Sequence, residues 1–360
     1  MTSRITCILF LLALCSSASA EPYLAVLKGM KCSQCHSHPS GGGKRNVYGN
    51  VFAQTELAER RIGDSSASLW TGEVFSWLSV GANARADYES VDVPGSASDS
   101  DFDITRATVY VEASLVPERL SIYLDEKVAP DDVDEREWYL KLKTRDSKYF
   151  VAAGQFFLPY GLRLEDDSAF IRQATGVNFI QPDRGVQAGF ESGPWSTQLS
   201  LTNGTGRGSV FDSTDRVSFV GQYVTRQWRA GASFNSTDSA AGDRRMFNVF
   251  GGLKTGSVAW LAEIDLISDD VPGASSVDAI AGLVEANWNY RQGHNLKISY
   301  EYLDPNDDIS ENHQVRWSLL WEYAPIQFVQ ARVGARLYDG IPQVPFQDRD
   351  ELFLQLHVFF

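Results

Sequence analysis

The sequence predicts an all-β protein, an antiparallel transmembrane β-barrel of about sixteen strands that follows a small N-terminal segment. Three observations predict this fold: apolar and polar residues alternate from Trp77 onward, short turns alternate with long loops, and the last strand ends on an aromatic residue. Strands of about ten residues are long enough to cross a bilayer at a tilt. Short turns at one end and long loops at the other are typical of outer-membrane barrels.

The alternation separates an apolar face from a charged face. Near residues 257–268, Trp260, Ile264 and Leu266 share one face, and Glu263 and Asp265 take the other. A soluble β-sandwich shows the same alternation, because it also has one buried and one wet face. Strand length, loop rhythm and the alternating C-terminal segment therefore decide in favour of a membrane barrel.

An even number of strands returns both chain ends to the same side of the membrane. We expect a bacterial outer membrane with both termini periplasmic or lumenal, and with outer-membrane lipid against the apolar face. The predicted strands lie near 77–90, 102–116, 118–129, 137–146, 149–160, 185–193, 195–206, 215–227, 228–238, 244–255, 257–268, 277–291, 294–304, 313–324, 327–339 and 348–360.

The first twenty residues have the composition of a secretion signal. Arg4 supplies a positive start, residues 5–14 form an apolar stretch, and residues 18–20 have the small side chains of a cleavage site. The predicted organisation is therefore a signal peptide at 1–20, an N-terminal segment at 21–68 and a barrel at 69–360.

Removal of the signal leaves only two cysteines, in the run Cys32-Ser33-Gln34-Cys35-His36. A Cys-x-x-Cys-His run is the attachment motif of c-type haem, with both sulfurs bound to the porphyrin and the histidine as proximal iron ligand. A redox disulfide and a metal site are the alternatives. The adjacent histidine and the absence of a βαβ pattern favour one covalent haem c, held by Cys32, Cys35 and His36.

A barrel of sixteen strands has a lumen too wide for its own side chains to fill. Residues 21–68 are too few to wrap a haem alone, so we expect them to form a haem-bearing plug in or at the lumen. The triple glycine at 41–43 predicts a tight turn after the haem motif.

The second axial ligand of the iron is not evident from the motif. His357 and Met246 lie at strand positions whose alternation places them on the lumen side, and they are the candidates for the distal iron ligand. An iron with no second protein ligand is the third alternative. Met30 and His38 lie too close in sequence to His36 to reach the opposite haem face easily.

The chain is acidic, with 46 Asp and Glu against 32 Lys and Arg. It has no basic stripe to neutralise phosphates, which argues against a nucleic-acid partner. Carboxylates in the long loops can gather ferrous ions, bind divalent ions that bridge lipid, or simply keep the surface soluble. They are Asp99, Asp101, Asp103, Asp131, Asp132, Asp134, Glu135, Asp269, Asp270, Asp304, Asp307 and Asp308.

The haem motif and the residues after it, namely Pro39, Asn46-Val47-Tyr48-Gly49 and Phe52, are similar to a known haem segment. The chain resembles the fused monohaem c-type cytochrome–porins of iron-oxidising bacteria, by architecture throughout and by residue motif over about 30–52. The resemblance implies electron transfer across the outer membrane, from an extracellular donor such as Fe(II) to a periplasmic c-type cytochrome or another soluble carrier.

The chain is shorter than many such fusions and shows no evident distal ligand, so the donor and the direction of electron flow stay open. Two other functions remain alternatives. One is a solute-conducting porin with an N-terminal plug or gate. The other is a periplasmic haem enzyme such as a peroxidase, which would need a distal Arg/His pair. We expect a redox protein, at most an iron oxidase, rather than a conventional catalyst.

Overall fold

The computed structural model describes residues 21–63, 68–130, 134–177, 182–204, 215–240 and 242–360. The predicted signal peptide and the loop residues Asp131 and Asp132 lie outside these residues. Within the described ranges, no helix is long and apolar enough to cross a membrane.

The described residues form a closed antiparallel barrel of sixteen strands, β2 to β17, in which the last strand pairs with β2. A short strand β1 pairs with the start of β2. The predicted fold class is confirmed. The strands are β1 (Glu73–Phe75), β2 (Leu78–Asp92), β3 (Asp99–Val116), β4 (Leu120–Ala129), β5 (Asp134–Lys143), β6 (Tyr149–Phe156), β7 (Asp183–Ser192), β8 (Trp195–Thr202), β9 (Asp215–Val224), β10 (Trp228–Ser239), β11 (Gly242–Thr255), β12 (Val258–Asp270), β13 (Val277–Arg291), β14 (His294–Asp304), β15 (Gln314–Ile326), β16 (Val329–Asp339) and β17 (Asp350–Phe359).

The two faces of the strands separate as the alternation predicts. On β12, Trp260, Ile264 and Leu266 are exposed on the outer face, while Glu263 and Asp265 are buried on the inner face. Successive residues of a strand point to opposite sides of the sheet. One strand therefore presents an apolar surface outside and charged groups inside.

The N-terminal segment packs against the inner face of the wall. It contains helix α1 (Pro22–Lys28), a 3-10 turn (Cys32–Gln34) and helix α2 (Val47–Phe52), which continues into a π-helical turn (Ala53–Leu57). Ahead of α1, Glu21 forms ion pairs with Lys297 at 3.1 Å and with Arg332. The hydroxyl of Tyr23 donates a hydrogen bond of 2.8 Å to Glu322. The start of the segment is thus tied to β14, β15 and β16.

The chain after β6 also folds inward, which corrects two expectations. The strand predicted near 149–160 ends at Phe156, and residues 161–184, expected as an outer loop, pack in their described part against inner-face residues. We call residues 157–177 the inward loop; it contains helix α3 (Phe170–Thr175). The loop turns inward because its carboxylates find cationic partners there, as in the ion pairs of Asp166 with Arg316 at 2.9 Å and with Arg336 at 3.3 Å.

Those two arginines dominate the electrostatics of Asp166. Burial by itself raises the pKa of this carboxyl, but the charges of Arg316 and Arg336 outweigh burial and hold the pKa well below its usual value. The ion pairs therefore stabilise the folded loop above pH of about 4, the ordinary pKa of aspartate, and this contribution is lost as the pH falls further.

Arg316 tests how firmly the loop is fixed. Arg316→Met leaves Glu301 and Asp166 without their shared cation, and removing one partner of a buried pair costs about 3–5 kcal/mol. We expect faster proteolysis of the inward loop and a lower melting temperature of the barrel. The melting temperature is measured by heating samples to increasing temperatures and following the loss of the folded band on denaturing gels. Lys148→Met is the control, because it breaks an exposed pair with Asp146 worth about 0–1 kcal/mol. Equal behaviour of the two variants would contradict this account.

Candidate functional site

The Cys-x-x-Cys-His run is folded into one tight turn. The backbone N–H groups of Cys35 and His36 both donate to the carbonyl of Cys32, at 3.1 and 3.0 Å. The two cysteines are not joined to each other by a disulfide bond. Cys32, Cys35 and His36 all line one cavity, so the turn presents both thiols and the imidazole to the same space.

Asn46 fixes this turn from a distance in sequence. Its side-chain amide donates to the carbonyls of Gln34 at 3.1 Å and Ser33 at 3.3 Å, and its backbone N–H donates to the carbonyl of Cys35 at 2.9 Å. Its side-chain oxygen also accepts from the N–H of Gly49 at 3.0 Å and so caps helix α2. One asparagine therefore joins the turn to the helix that follows it.

Gly49 is required by the closeness of that contact. A Cβ atom at this position would lie 2.2 Å from the carbonyl oxygen of Cys35 and 3.1 Å from Cβ of Arg45. Only glycine lets the backbone of α2 approach the turn this closely. The sequence singles out the run Asn46-Val47-Tyr48-Gly49 only by its resemblance to a known haem segment. The structure gives a physical reason for two of its residues, Asn46 and Gly49.

The cavity around the turn, here called the CxxCH cavity, lies between the N-terminal segment, the inward loop and strands β8 to β11. Its empty space is about 930 Å³, including its opening to solvent. Much of the wall is apolar or aromatic: Leu24, Met30, Phe52, Tyr160, Leu162, Val220 and Phe250. The charged residues in the wall are mostly basic, with Lys28, Lys31, Arg45, Arg163 and Arg229 against Glu21.

Burial keeps the histidine and the second cysteine neutral. Loss of hydration lowers the pKa of His36 to about 3, and the charge of Arg45 adds to the shift. Burial raises the pKa of Cys35 to about 11. A metal–thiolate site or a disulfide-exchange pair needs a thiolate, which the raised pKa of Cys35 disfavours. An iron ligand needs a neutral imidazole, which the lowered pKa of His36 favours.

The wall residues fit a covalent haem. The thiols of Cys32 and Cys35 and the imidazole of His36 line the same cavity, as covalent attachment and axial ligation of one haem require. The apolar side chains suit the faces of a porphyrin. The basic side chains suit its carboxylates, because charge-assisted hydrogen bonds to Arg and Lys are strong.

The two distal candidates from the sequence do not line the CxxCH cavity. His357 is fully buried on the inner face of β17, where Nδ1 lies 3.2 Å from Gln330 and the ring contacts Phe359. Met246 is also buried on the inner face, packed with Tyr160 and Ile267. Their assignment as distal ligands stays a prediction.

Three residues of the cavity wall are not predicted by the sequence. The closeness of Met30 to His36 in the chain argues against a role at the haem, yet Met30 lies in the cavity wall, with its sulfur 3.7 Å from the hydroxyl of Tyr48. Tyr160 and Arg163 come from the inward loop, and no local pattern links that loop to the haem motif. Their contribution becomes visible only in three dimensions.

His38 connects the N-terminal segment to this loop. Its Nδ1 atom lies 2.9 Å from Nη1 of Arg163 and accepts the N–H of Ser40 at 3.1 Å, while Nε2 lies 3.3 Å from Glu137. Since both groups near Nδ1 are donors, we assign the ring proton to Nε2, facing the carboxylate. His38 therefore joins the segment, the loop and β5 in one buried network.

Several of the acidic residues that the structure describes at the long loops make local contacts. Asp269 pairs with Arg244 at 3.2 Å, and Asp101 and Asp103 each accept the N–H of the next residue. In the residues that the structure describes, no group of three or more His, Cys, Asp or Glu side chains is arranged to hold a metal ion.

Comparison with known proteins defines the fold as that of a porin-type barrel. OmpT of Vibrio cholerae matches with a TM-score of 0.59 and 13% identity over 80% of this chain and 99% of that chain. An anion-selective porin of Comamonas acidovorans matches with a TM-score of 0.62 and 9% identity, over 79% and 99% of the two chains. The outer-membrane channel DcaP of Acinetobacter baumannii matches with 0.58 and 14%, over 80% and 99%. No family model and no curated protein matches the chain.

Gly49 provides a test of the site's construction. Gly49→Ala forces the backbone of α2 away from Cys35, and overpacking of this kind costs about 1–3 kcal/mol. We expect less haem per folded barrel after expression in a host that matures c-type cytochromes, measured as the ratio of haem absorbance to protein. Gly282→Ala is the control, because its Cβ would lie 3.8 Å from the nearest atom. Unchanged haem content in Gly49→Ala would contradict the role of this contact.

Proposed function

We propose that this protein is an outer-membrane barrel that transfers electrons through one covalent haem c, held by Cys32, Cys35 and His36. The electron donor is extracellular, such as Fe(II), and the acceptor is a soluble carrier such as a periplasmic c-type cytochrome. The observation that carries the proposal is the CxxCH cavity, which brings two thiols, a neutral imidazole, apolar walls and basic side chains to one space. A bound haem would supply a one-electron couple there.

The packing of the lumen supports transfer of electrons rather than of solutes. Glu21 and Tyr23 bind the wall at β14, β15 and β16, His38 binds β5, and Asp166 binds β15 and β16. Both the N-terminal segment and the inward loop therefore occupy space that a passive pore leaves to water. A haem between them is shielded by the barrel, which compensates for the small size of the segment.

The outer surface supports placement in a membrane. Large apolar side chains are exposed along the strands, with charged residues turned inward. Such a surface suits lipid, because the closed barrel leaves no unpaired strand edge in the apolar phase. With the short turns on the periplasmic side, both termini belong to that side, where a soluble carrier has access to the haem segment.

A solute-conducting porin is the second candidate function. The fold neighbours favour it, since they include an anion-selective porin and an outer-membrane channel. A second cavity of the lumen is polar and is lined by both acidic and basic side chains, which suits the passage of small polar solutes. Under this hypothesis, the N-terminal segment is a plug or gate, and the haem is structural or sensory.

Haem attachment and reduction test the first proposal. Purified full-length protein is expected to carry one covalent haem that survives denaturing gels, and mixing with ferrous iron at neutral pH is expected to raise the reduced α-band in stopped flow. The double variant Cys32→Ala/Cys35→Ala loses the covalent haem, whereas Ser33→Ala, in the same turn, keeps it. A haem that dithionite reduces and iron does not would remove iron as the donor. Absence of haem from the parent protein would contradict the proposed electron transfer.

Conductance in planar bilayers separates the two functions. We expect little ion flow through the full chain, because the segment and the inward loop occupy the lumen. Deletion of residues 21–62, with the signal peptide retained, removes the anchors at Glu21, Tyr23 and His38 and should open a measurable pore. High, steady conductance of the undeleted protein would favour the porin.

A further inference from the structure

Two carboxylates on the inner face of β12, Glu263 and Asp265, lack the cations that most other buried carboxylates of the lumen have. Glu21, Glu301, Glu322 and Asp166 each form an ion pair with Lys or Arg. Within the described ranges, no ion pair joins Glu263 or Asp265 to a basic side chain, although Asp265 is fully buried and Glu263 is 6% exposed. Two adjacent buried carboxylates cannot both stay ionised without a bound cation; in its absence one of them holds a proton.

The surroundings of this carboxylate pair offer oxygen ligands. Glu263 accepts hydrogen bonds from the side chain of Asn248 at 2.7 Å and from the N–H of Leu162 at 2.6 Å. Asp265 is faced by Asn248, Tyr160 and Glu263. Yet both carboxylate oxygens of Asp265, Oδ1 of Asn248 and the hydroxyl of Tyr160 are buried without a hydrogen bond of normal geometry among the described residues. Several polar atoms thus converge on one spot, close enough to interact but without well-aligned hydrogen bonds between them.

The carboxylate pair is close to the CxxCH cavity. Tyr160 belongs both to the cavity wall and to the surroundings of Asp265. Gly161, also in the cavity wall, lies directly over the pair, because a Cβ there would be 2.1 Å from Oε1 of Glu263. A group bound by the pair would therefore be separated from the cavity by a single layer of the inward loop.

We infer that Glu263 and Asp265, with Asn248 and the Tyr160 hydroxyl, bind one divalent cation inside the barrel. Carboxylate and amide oxygens are ligands of hard divalent ions, and water completes their coordination. The inference deepens the proposed function and rests on it for the identity of the ion, which is ferrous iron. The ferrous ion loses one electron and becomes ferric, and that electron reduces the ferric iron of one haem.

Manganese(II) is the probe, because its binding is measurable without any redox step. Full-length haem-loaded protein in detergent is titrated with Mn²⁺, and the free ion is followed by its room-temperature EPR signal. We expect one bound ion per chain. Asp265→Asn should weaken binding about tenfold or more, because the affinity of oxygen-ligand sites depends on their charge. Asp350→Asn, which removes an exposed carboxylate from β17, is the matched control and should bind as the parent does.

A second variant guards against misfolding of the first. Asn248→Asp places a third carboxylate at the pair and should tighten Mn²⁺ binding. Absence of saturable Mn²⁺ binding in the parent, or equal affinity in the parent and Asp265→Asn, would overturn the inference and leave a pair that shares a proton. Tighter binding in Asn248→Asp together with weaker binding in Asp265→Asn supports it.

Ferrous stopped-flow reduction distinguishes this inference from the proposed function. Mn²⁺ binding without any haem reduction by iron would retain the cation site and remove iron as the donor. Haem reduction at equal rates in the parent and Asp265→Asn would retain the iron donor and overturn the assignment of the ferrous ion to this site. Slower reduction in Asp265→Asn, with the rate of Asp350→Asn unchanged, supports both.

Discussion

The structure depends on one constraint: a wide barrel with a charged inner face has to compensate those charges inside its own lumen. The wall contributes Lys297, Arg316, Arg332 and Arg336, and the compensating carboxylates include Glu21 of the N-terminal segment and Asp166 of the inward loop. The same ion pairs therefore neutralise the wall and hold both inserted pieces of chain. Specific placement of a short segment with little core of its own follows from these pairs.

The CxxCH cavity is a product of that placement. The segment supplies the thiols and the imidazole, the inward loop supplies Tyr160 and Arg163, and the wall supplies Val220 and Phe250. None of these three parts encloses the cavity alone. His38 reinforces the arrangement, because its ring contacts both Arg163 and Glu137. Haem binding and barrel formation are therefore coupled in this proposal, unlike in a cytochrome domain that folds independently.

The sequence reveals those features that are encoded locally. Alternation along β12 identifies the strand and its faces, and the spacing of Cys32, Cys35 and His36 predicts a covalent haem. Parity also places His357 on the inner face, where it is buried. The inward loop is not encoded in this way, because its mixture of acidic and polar residues is also that of an exposed loop. Its partner Arg316 lies 150 residues from Asp166. The short sequence distance between Met30 and His36 argues against a role for Met30, but the left-handed turn at Gly29 brings Met30 into the cavity wall.

The carboxylate pair of Glu263 and Asp265 departs from this pattern of charge compensation. Where most buried carboxylates of the lumen have a basic partner within the chain, Glu263 and Asp265 require compensation from outside it. A nearby positive charge favours the reduced state of a haem, since reduction adds a negative charge to the site. A cation at the pair would therefore make a haem in the CxxCH cavity a better electron acceptor. Donor binding and electron acceptance would then be linked by electrostatics alone, with no movement of the barrel wall.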